Sequence, residues 1–322
     1  MLSEFELIRH YFTHPAPHTR LGVGDDAALV RVRPGMELVV TVDMLVAGTH
    51  FFPDADPRRL GHKALAVNLS DIAAMGATAR WATLALALPR VEPAWLRAFA
   101  SGFMRLARRH GVALIGGDTT RGPLAVSVQL LGEVPNGQAL LRSGARAGDD
   151  IWVSGRLGDA AMAVAARKRR VKLEAHELRA ALRRLDAPTP RLALGAQLRG
   201  IAGSAIDISD GLCADLGHIC KRSQVSALIE FERLPVSAVA RKRIDMPVVR
   251  AAVLAGGDDY ELCFTARPER REAVRAAARR AGVPVTVVGR IERPMRRAQR
   301  VRVVDGSGRI MALGKGGYDH FG

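Results

Sequence analysis

The stretch AIDISDGLCADLGHICKRS, residues 205–223, changes character partway along. AIDIS is a short apolar run and reads as a buried strand, and GLCADLGHICKRS reads as a helix. Between them lies a turn that carries Asp207, Ser209, Asp210 and Gly211. A strand that feeds a helix through a turn is a unit of an α/β fold. The loops at strand ends are where such folds keep their chemistry. Ser and Asp are also favoured helix N-caps, so this turn alone reads equally well as a cap or as a ligand.

The same pattern recurs in both directions from this point. An apolar run leads into glycine or a hydroxyl residue and then aspartate in LGVGDDAAL at 21–29, LVVTVDMLV at 38–46, ALIGGDTT at 113–120 and GGDDYEL at 256–262. Asp71 sits in KALAVNLSDIAAMGA at 63–77. Most of the acids at 25, 26, 43, 71, 118, 207, 210, 258 and 259 are expected where a strand runs out into a loop. Asp258, Asp259 and Glu261 crowd three carboxylates into one short segment, where they repel one another. Such a cluster points to a cation or a ligand. Magnesium prefers carboxylate oxygens, retains waters and bridges to substrate phosphates, so several magnesium ions account for the set.

The chain has 322 residues, enough for two domains with separate cores. It is 48% hydrophobic and 25% charged, as globular proteins are. No apolar run reaches the roughly 18 residues that span a bilayer. MLSEFELIRHYF carries acids early and does not read as a secretory signal. Three cysteines, Cys213, Cys220 and Cys263, show no CxxC spacing, which argues against a disulfide framework or a zinc ribbon. A cytoplasmic protein is expected.

The net charge is +16, almost all of it from arginine. The bases crowd into RKRRVK at 167–172, RPERREAVRAAARRAG at 267–282 and RIERPMRRAQRVR at 290–302. Aromatics make up 5% and none interleave with these runs as a base-stacking surface requires. The runs are read as solvated helix faces rather than as a nucleic-acid surface.

Periodicity predicts helices over 1–12, 57–77 and 92–110, and strands over 36–46, 81–88, 112–116 and 124–134. A loop rich in turn residues and arginine follows at 134–149. The expected domains are 1–137 and 150–322, with a linker at 138–149. In the second half, DIWVSGRLGDAAMAV reads as strand, glycine turn and helix. Helices are predicted at 158–167, 174–185, after PTPR, at 211–223 and at 268–281. VSALIEF, ELCFTA, PVTVVGRI and RVRVVD read as strands.

LGVGDDAA has the G-x-G-x-x-A shape of a dinucleotide fingerprint. Prolines and polar residues precede it instead of a strand, and two aspartates fill the turn, so the Rossmann reading is set aside. No G-x-x-x-x-G-K-[ST] is present. His10, His14 and His18 are spaced like a helical metal site, but Pro15 and Pro17 break that helix.

Taken together, GVGDDAAL, TVDMLVAGTHF, KALAVNLSDIAAMGA, LIGGDTTRGP, LLRSGARAGD, AIDISDGLCADLGHI, AGGDDYELCFT and GYDHF resemble, in order and over essentially the whole chain, the thiamine-monophosphate kinase family. That family belongs to the aminoimidazole-ribonucleotide synthetase superfamily. The resemblance implies a two-domain α/β (α+β) fold whose N-terminal sheet pairs with its twin in a homodimer. It also implies ATP-dependent phosphorylation of thiamine phosphate, with Mg2+ as cofactor and ATP as co-substrate. Asp26, Thr41, Val42, Asp43, Asp71, Asp118, Asp207 and Asp210 are implied metal ligands, Val42 through its main-chain carbonyl. Gly117, Asp118, Arg142 and Ser209 are implied ATP contacts, and His50, Asp258 and Tyr318 are implied contacts of thiamine phosphate. Two positions depart from the usual pattern: Asp258 stands where Glu is more common, and Val42 where a hydroxyl residue is frequent. The alternatives are a sister ATP-dependent activity on the same fold, or a basic nucleic-acid-binding protein without catalysis. Selenophosphate synthesis calls for an N-terminal reactive cysteine, and no cysteine precedes position 213.

Overall fold

The computed structural model describes residues 4–295 and 300–312. It divides into two compact units, one of residues 1–72 and 77–137 and one of residues 73–76 and 138–322.

The first unit runs α1 (Glu4–Tyr11), β1 (Thr19–Leu21), β2 (Leu29–Val30), β3 (Met36–Val46), α2 (Pro57–Ala74), β4 (Thr78–Leu88), α3 (Pro93–Arg109), β5 (Ala113–Arg121) and β6 (Ala125–Pro135). Its main sheet has the order β3-β6-β4-β5. Only β4 and β5 are parallel, joined by the crossover helix α3. α2 and α3 approach at glycines: a Cβ on Gly61 would lie 2.1 Å from the Phe99 carbonyl oxygen, and one on Gly102 would lie 1.8 Å from that of Arg58. Leu65, Leu69, Ile72, Leu96, Phe99 and Phe103 fill the core around them, while Trp81 is buried on the opposite face with Ala113, Ile115, Ala28 and Val30. The opposite face of β3 is bare, with Leu38, Val40, Val42 and Met44 all exposed.

The second unit runs β7 (Asp150–Ser154), α4 (Asp159–Arg167), α5 (Ala175–Asp186), α6 (Leu192–Leu198), β8 (Ser204–Ile208), α7 (Leu212–Ser223), β9 (Ser226–Glu230), α8 (Ala238–Arg241), α9 (Pro247–Ala255), β10 (Glu261–Ala266), α10 (Arg271–Ala281), β11 (Val285–Glu292) and β12 (Val301–Val304). Its sheet order is β12-β9-β11-β7-β10-β8, with only β12 and β9 parallel. Apolar clusters cover both faces. One gathers Leu216, Ile219, Ile229 and Val288 under α7, and the other gathers Trp152, Leu194, Phe264 and Val274 under α6 and α10.

Several expectations need correction. β5 does not stop at 116 but continues to Arg121, because each residue through the GGDTT segment finds a partner on the long strand β4. The β1–β2 ribbon and helix α9 were not anticipated. α1 ends at Tyr11, so His14 and His18 share no helix with His10. LGVGDDAA leads from β1 through a bend into β2 with no helix after it, so it lacks the helix N-terminus a dinucleotide needs.

Candidate functional site

Both units carry implied site residues, and in each the neighbouring elements decide what a carboxylate can do. In the first unit, β3 alternates its side chains. Thr41 and Asp43 share the face under α2, where the Thr41 hydroxyl donates to Asp71 Oδ2 at 2.5 Å. Val42 lies between them on the other face and is 61% exposed.

Asp118 is on that other face as well. Register aligns Met44, Ser127, Ala85 and Asp118 in one row across the sheet, and Asp43, Val128, Leu84 and Gly117 in the next. Neighbouring rows face opposite ways. Asp43 and Asp118 therefore occupy opposite faces of this sheet, while Thr41, Asp43 and Asp71 stay together. Gly117 has no room for a side chain, since a Cβ would sit 1.9 Å from the Leu84 carbonyl oxygen. Asp26 is exposed in the bend between β1 and β2, where its N–H donates to Asp25 Oδ1 at 2.9 Å. His50 Nδ1 accepts the Val46 N–H at 3.0 Å, so the neutral ring carries its proton on Nε2.

Of the acids expected near strand ends, Asp118 departs from expectation, because its strand runs on through GGDTT; Asp43, Asp71 and Asp207 stand within the segments predicted as strand 36–46, helix 57–77 and strand AIDIS. Asp43, Asp118 and Asp207 lie inside strands, and Asp71 lies inside a helix. Ladder pairing continues past the apolar run wherever a partner strand is long enough to accept it.

In the second unit, two short segments interlock at one end of the sheet. Asp207 is buried in β8, and Ser209 and Asp210 follow it half-buried. Neither of these residues caps α7, whose N-cap is Gly211. The loop is held instead by Asp215 from within the helix. Its Oδ2 accepts the backbone N–H groups of Ser209, Asp210 and Gly211 at 3.1, 3.1 and 3.0 Å. Burial and the nearby Asp210 charge push the Asp215 carboxyl up to about 7, against those three donors.

The 256–260 segment docks on this loop. The N–H of Asp258 donates to the Ser209 carbonyl at 2.9 Å, and that of Tyr260 donates to Ile208 at 2.8 Å. A Cβ on Gly257 would lie 2.4 Å from the Ser209 carbonyl oxygen, and one on Gly211 would lie 2.6 Å from the Ala255 carbonyl carbon. Asp258 and Tyr260 both take left-handed backbone, with φ of 69° and 50°. Such conformations cost energy in non-glycine residues and gather at functional sites.

The acids of GGDDYEL have separate fates. Asp258 stays half-exposed, with the Tyr260 hydroxyl 3.4 Å away. Asp259 is buried, and both its oxygens accept the Gly158 N–H in the turn before α4. Burial pushes its carboxyl well above the usual carboxylate range. Glu261 is fully buried and accepts from Ser154, Arg184 and Arg191, at 2.6 Å for the serine hydroxyl. Sequence reading missed Asp215, Arg184 and Arg191. The one available signal was an acid in the first turn of a helix that follows glycine.

Arg142 is exposed, and its carbonyl accepts the Ser223 hydroxyl at 3.1 Å. Tyr318 lies outside the described residues. Cys213 and Cys220 are buried thiols that burial pushes up to about 12 and about 11, which suits neither to nucleophilic attack at neutral pH. Among the described residues, no three histidine, cysteine, aspartate or glutamate side chains converge as a ready metal cage. The implied ligand set is nonetheless all oxygen, as a hard divalent cation such as magnesium requires. Within the described residues, no helix is long and apolar enough to cross a membrane.

Comparison with known proteins covers nearly all of this architecture. Residues 24–134 match the N-terminal domain and residues 146–298 the C-terminal domain of AIR synthase related proteins. The thiamine-monophosphate kinase of Escherichia coli (strain K12) is 43% identical over 99% of this chain and 98% of its own length. The crystal structure of thiamine-monophosphate kinase from Stenotrophomonas maltophilia K279a superposes with a TM-score of 0.83 at 47% identity, covering 89% of this chain and 91% of that one. The structure of AaThiL complexed with AMPPCP and TMP gives a TM-score of 0.77 at 31% identity, covering 93% and 92%.

Proposed function

This chain belongs to the thiamine-monophosphate kinase family, and from that premise we propose that it transfers the γ-phosphoryl group of ATP to thiamine phosphate, giving thiamine diphosphate and ADP. The observation that carries the reading is likeness over the full length of both chains, through both domains.

The acceptor phosphate oxygen is already ionised at neutral pH, so the reaction needs no general base. That oxygen forms a bond to the γ-phosphorus while the bond from the γ-phosphorus to the bridging oxygen breaks, and its electron pair leaves with ADP. The barrier comes from bringing two polyanions into line. Bound magnesium supplies charge neutralisation between them. Several ions would be held, by a set drawn from Asp26, Thr41, the Val42 carbonyl, Asp43, Asp71, Asp118, Asp207 and Asp210. Thr41 orients the Asp71 carboxylate through its hydrogen bond. Gly117, Asp118, Arg142 and Ser209 contact the nucleotide. His50, Asp258 and Tyr318 hold thiamine phosphate, with the Asp258 carboxylate matched to the thiazolium cation. Transfer is direct, with no phosphoenzyme.

The apolar strip Leu38, Val40, Val42 and Met44 supports a homodimer through the four-stranded sheet, since a monomer gains nothing from exposing it. The cytoplasm is the proposed location.

A coupled ADP-release assay tests the reading. ADP release that requires both thiamine phosphate and Mg2+ is the expected result. ADP release indifferent to thiamine phosphate overturns it, and label from γ-labelled ATP retained on denatured protein overturns direct transfer.

A further inference from the structure

Three successive backbone N–H groups beside a helix N-terminus form a nest that ordinarily receives an anion, and phosphate is the commonest guest. The Ser209-Asp210-Gly211 loop ahead of α7 has this form, yet its three donors already converge on one internal oxygen, Asp215 Oδ2. Asp215 is 2% exposed and its own N–H donates to the Gly211 carbonyl at 3.0 Å, so backbone and side chain hold the loop together. The close approaches of Gly211 to Ala255 and of Gly257 to Ser209 leave the loop no room to settle elsewhere.

We propose that Asp215 is a positioning residue that fills this nest from inside, so that the loop meets the nucleotide through the Ser209 hydroxyl and the Asp210 carboxylate rather than through its amides. Phosphate charge on this side of the site must then be met through metal held by the aspartates. This is consistent with a chain that lacks a phosphate-gripping lysine motif. The inference rests on the assignment of Ser209 to nucleotide and Asp210 to metal. An Asp215→Ser substitution empties the nest and frees three donors. An Asp215→Asn substitution keeps an amide oxygen that accepts them without the charge.

The test uses the full chain and measures Mg2+ activation, KM for ATP, KM for thiamine phosphate and thermal melting in both variants. Asp215→Ser is expected to raise the Mg2+ concentration for half-activation and the KM for ATP at least tenfold. Inorganic phosphate should become a stronger inhibitor against ATP, and KM for thiamine phosphate should shift less than either. Asp215→Asn is expected to recover part of the loss. If the serine variant fails to fold, the asparagine variant decides through the same ratios. Mg2+ and ATP constants within twofold of wild type, or a fall in kcat and melting temperature with those constants unchanged, overturn the proposal. Titration of Mg2+ with a non-hydrolysable ATP analogue judges Asp215 separately from the reaction. A wild type that binds the analogue but releases no ADP with thiamine phosphate sinks the functional reading and leaves the Asp215 comparison standing.

Discussion

The two sheets of this molecule treat their faces differently. The six-stranded sheet is covered on both sides, and its strands β7, β8 and β10 are buried throughout. The four-stranded sheet packs α2 and α3 on one side; on the other a small cluster around Trp81 is covered by Ala16, Ala28 and Val30, and the β3 strip stays open, with Val42 61% and Met44 59% exposed. The carboxylates follow the same division only in part. In the covered unit Asp215, Asp259 and Glu261 are buried and serve as struts. In the half-open unit Asp43 and Asp71 stay half-exposed and Asp26 and Asp118 exposed. Burial alone does not sort them: Asp207 is buried in β8 yet is an implied metal ligand, and Glu133 of the half-open unit is buried against Arg33 and Arg80.

The sharpest way to break this contrast is to put a charge on each sheet in turn. Val288 is 0% exposed, and Val288→Asp buries an unpaired carboxylate. It is expected to cost more than about 4 kcal/mol and to leave no folded protein by circular dichroism. A soluble, cooperatively melting Val288→Asp variant would mean that the sheet is less tightly covered than its burial says.

Next in size is the strut itself. Glu261→Ala strands two guanidinium groups and the Ser154 hydroxyl. Arg184 and Arg191 keep side-chain exposures of 28% and 14%, so water offsets part of the loss. A destabilisation of about 3 kcal/mol in urea is expected, the lower end for breaking a buried pair. A loss below about 1 kcal/mol would remove Glu261 from the scaffold.

The ligand side of the comparison is read in kinetics rather than in stability. Asp71→Asn is expected to lower kcat on the order of a hundredfold, as removal of a major electrostatic group does, while the melting temperature changes little. Turnover within threefold of wild type would strike Asp71 from the site. Asp258→Ala should raise KM for thiamine phosphate roughly tenfold, about 1.4 kcal/mol, with KM for ATP within about twofold. Weaker ATP with unchanged thiamine phosphate would make GGDDYEL a nucleotide segment instead.

The smallest effect on the folded chain is expected on the bare face. Val42→Asp should change the stability of dilute protein by under about 1 kcal/mol. Sedimentation should nevertheless report a smaller particle than wild type at matched concentration. A cost equal to that of Val288→Asp, or an unchanged particle size, would remove the difference between the faces.

Much of this was legible in the sequence. The alternation of LVVTVDMLV marked β3, and the change of period in 205–223 marked β8 and α7. Ordered acidic motifs identified the family before any coordinates. Local pattern was enough there because a strand or helix with one dominant partner layer carries its period in its own residues. It failed at α9, whose residues are apolar nearly all round, and at β5, where glycine and threonine looked like a turn until β4 supplied a ladder.

The amino-acid sequence by itself determined which residue types stand where: oxygen ligands in several short motifs, no phosphate-gripping lysine, and enough apolar surface for two cores. It could not sort the acids. Asp258, Asp259 and Glu261 are near neighbours with similar chemistry, yet one is half-exposed beside Tyr260, one holds the Gly158 turn and one is locked by Arg184 and Arg191. Those partners lie far away in the chain, and only folding brings them together. Whether a carboxylate is strut or ligand depends on what surrounds it, because burial raises the cost of its charge and a fixed donor repays that cost. Local spacing carries neither quantity.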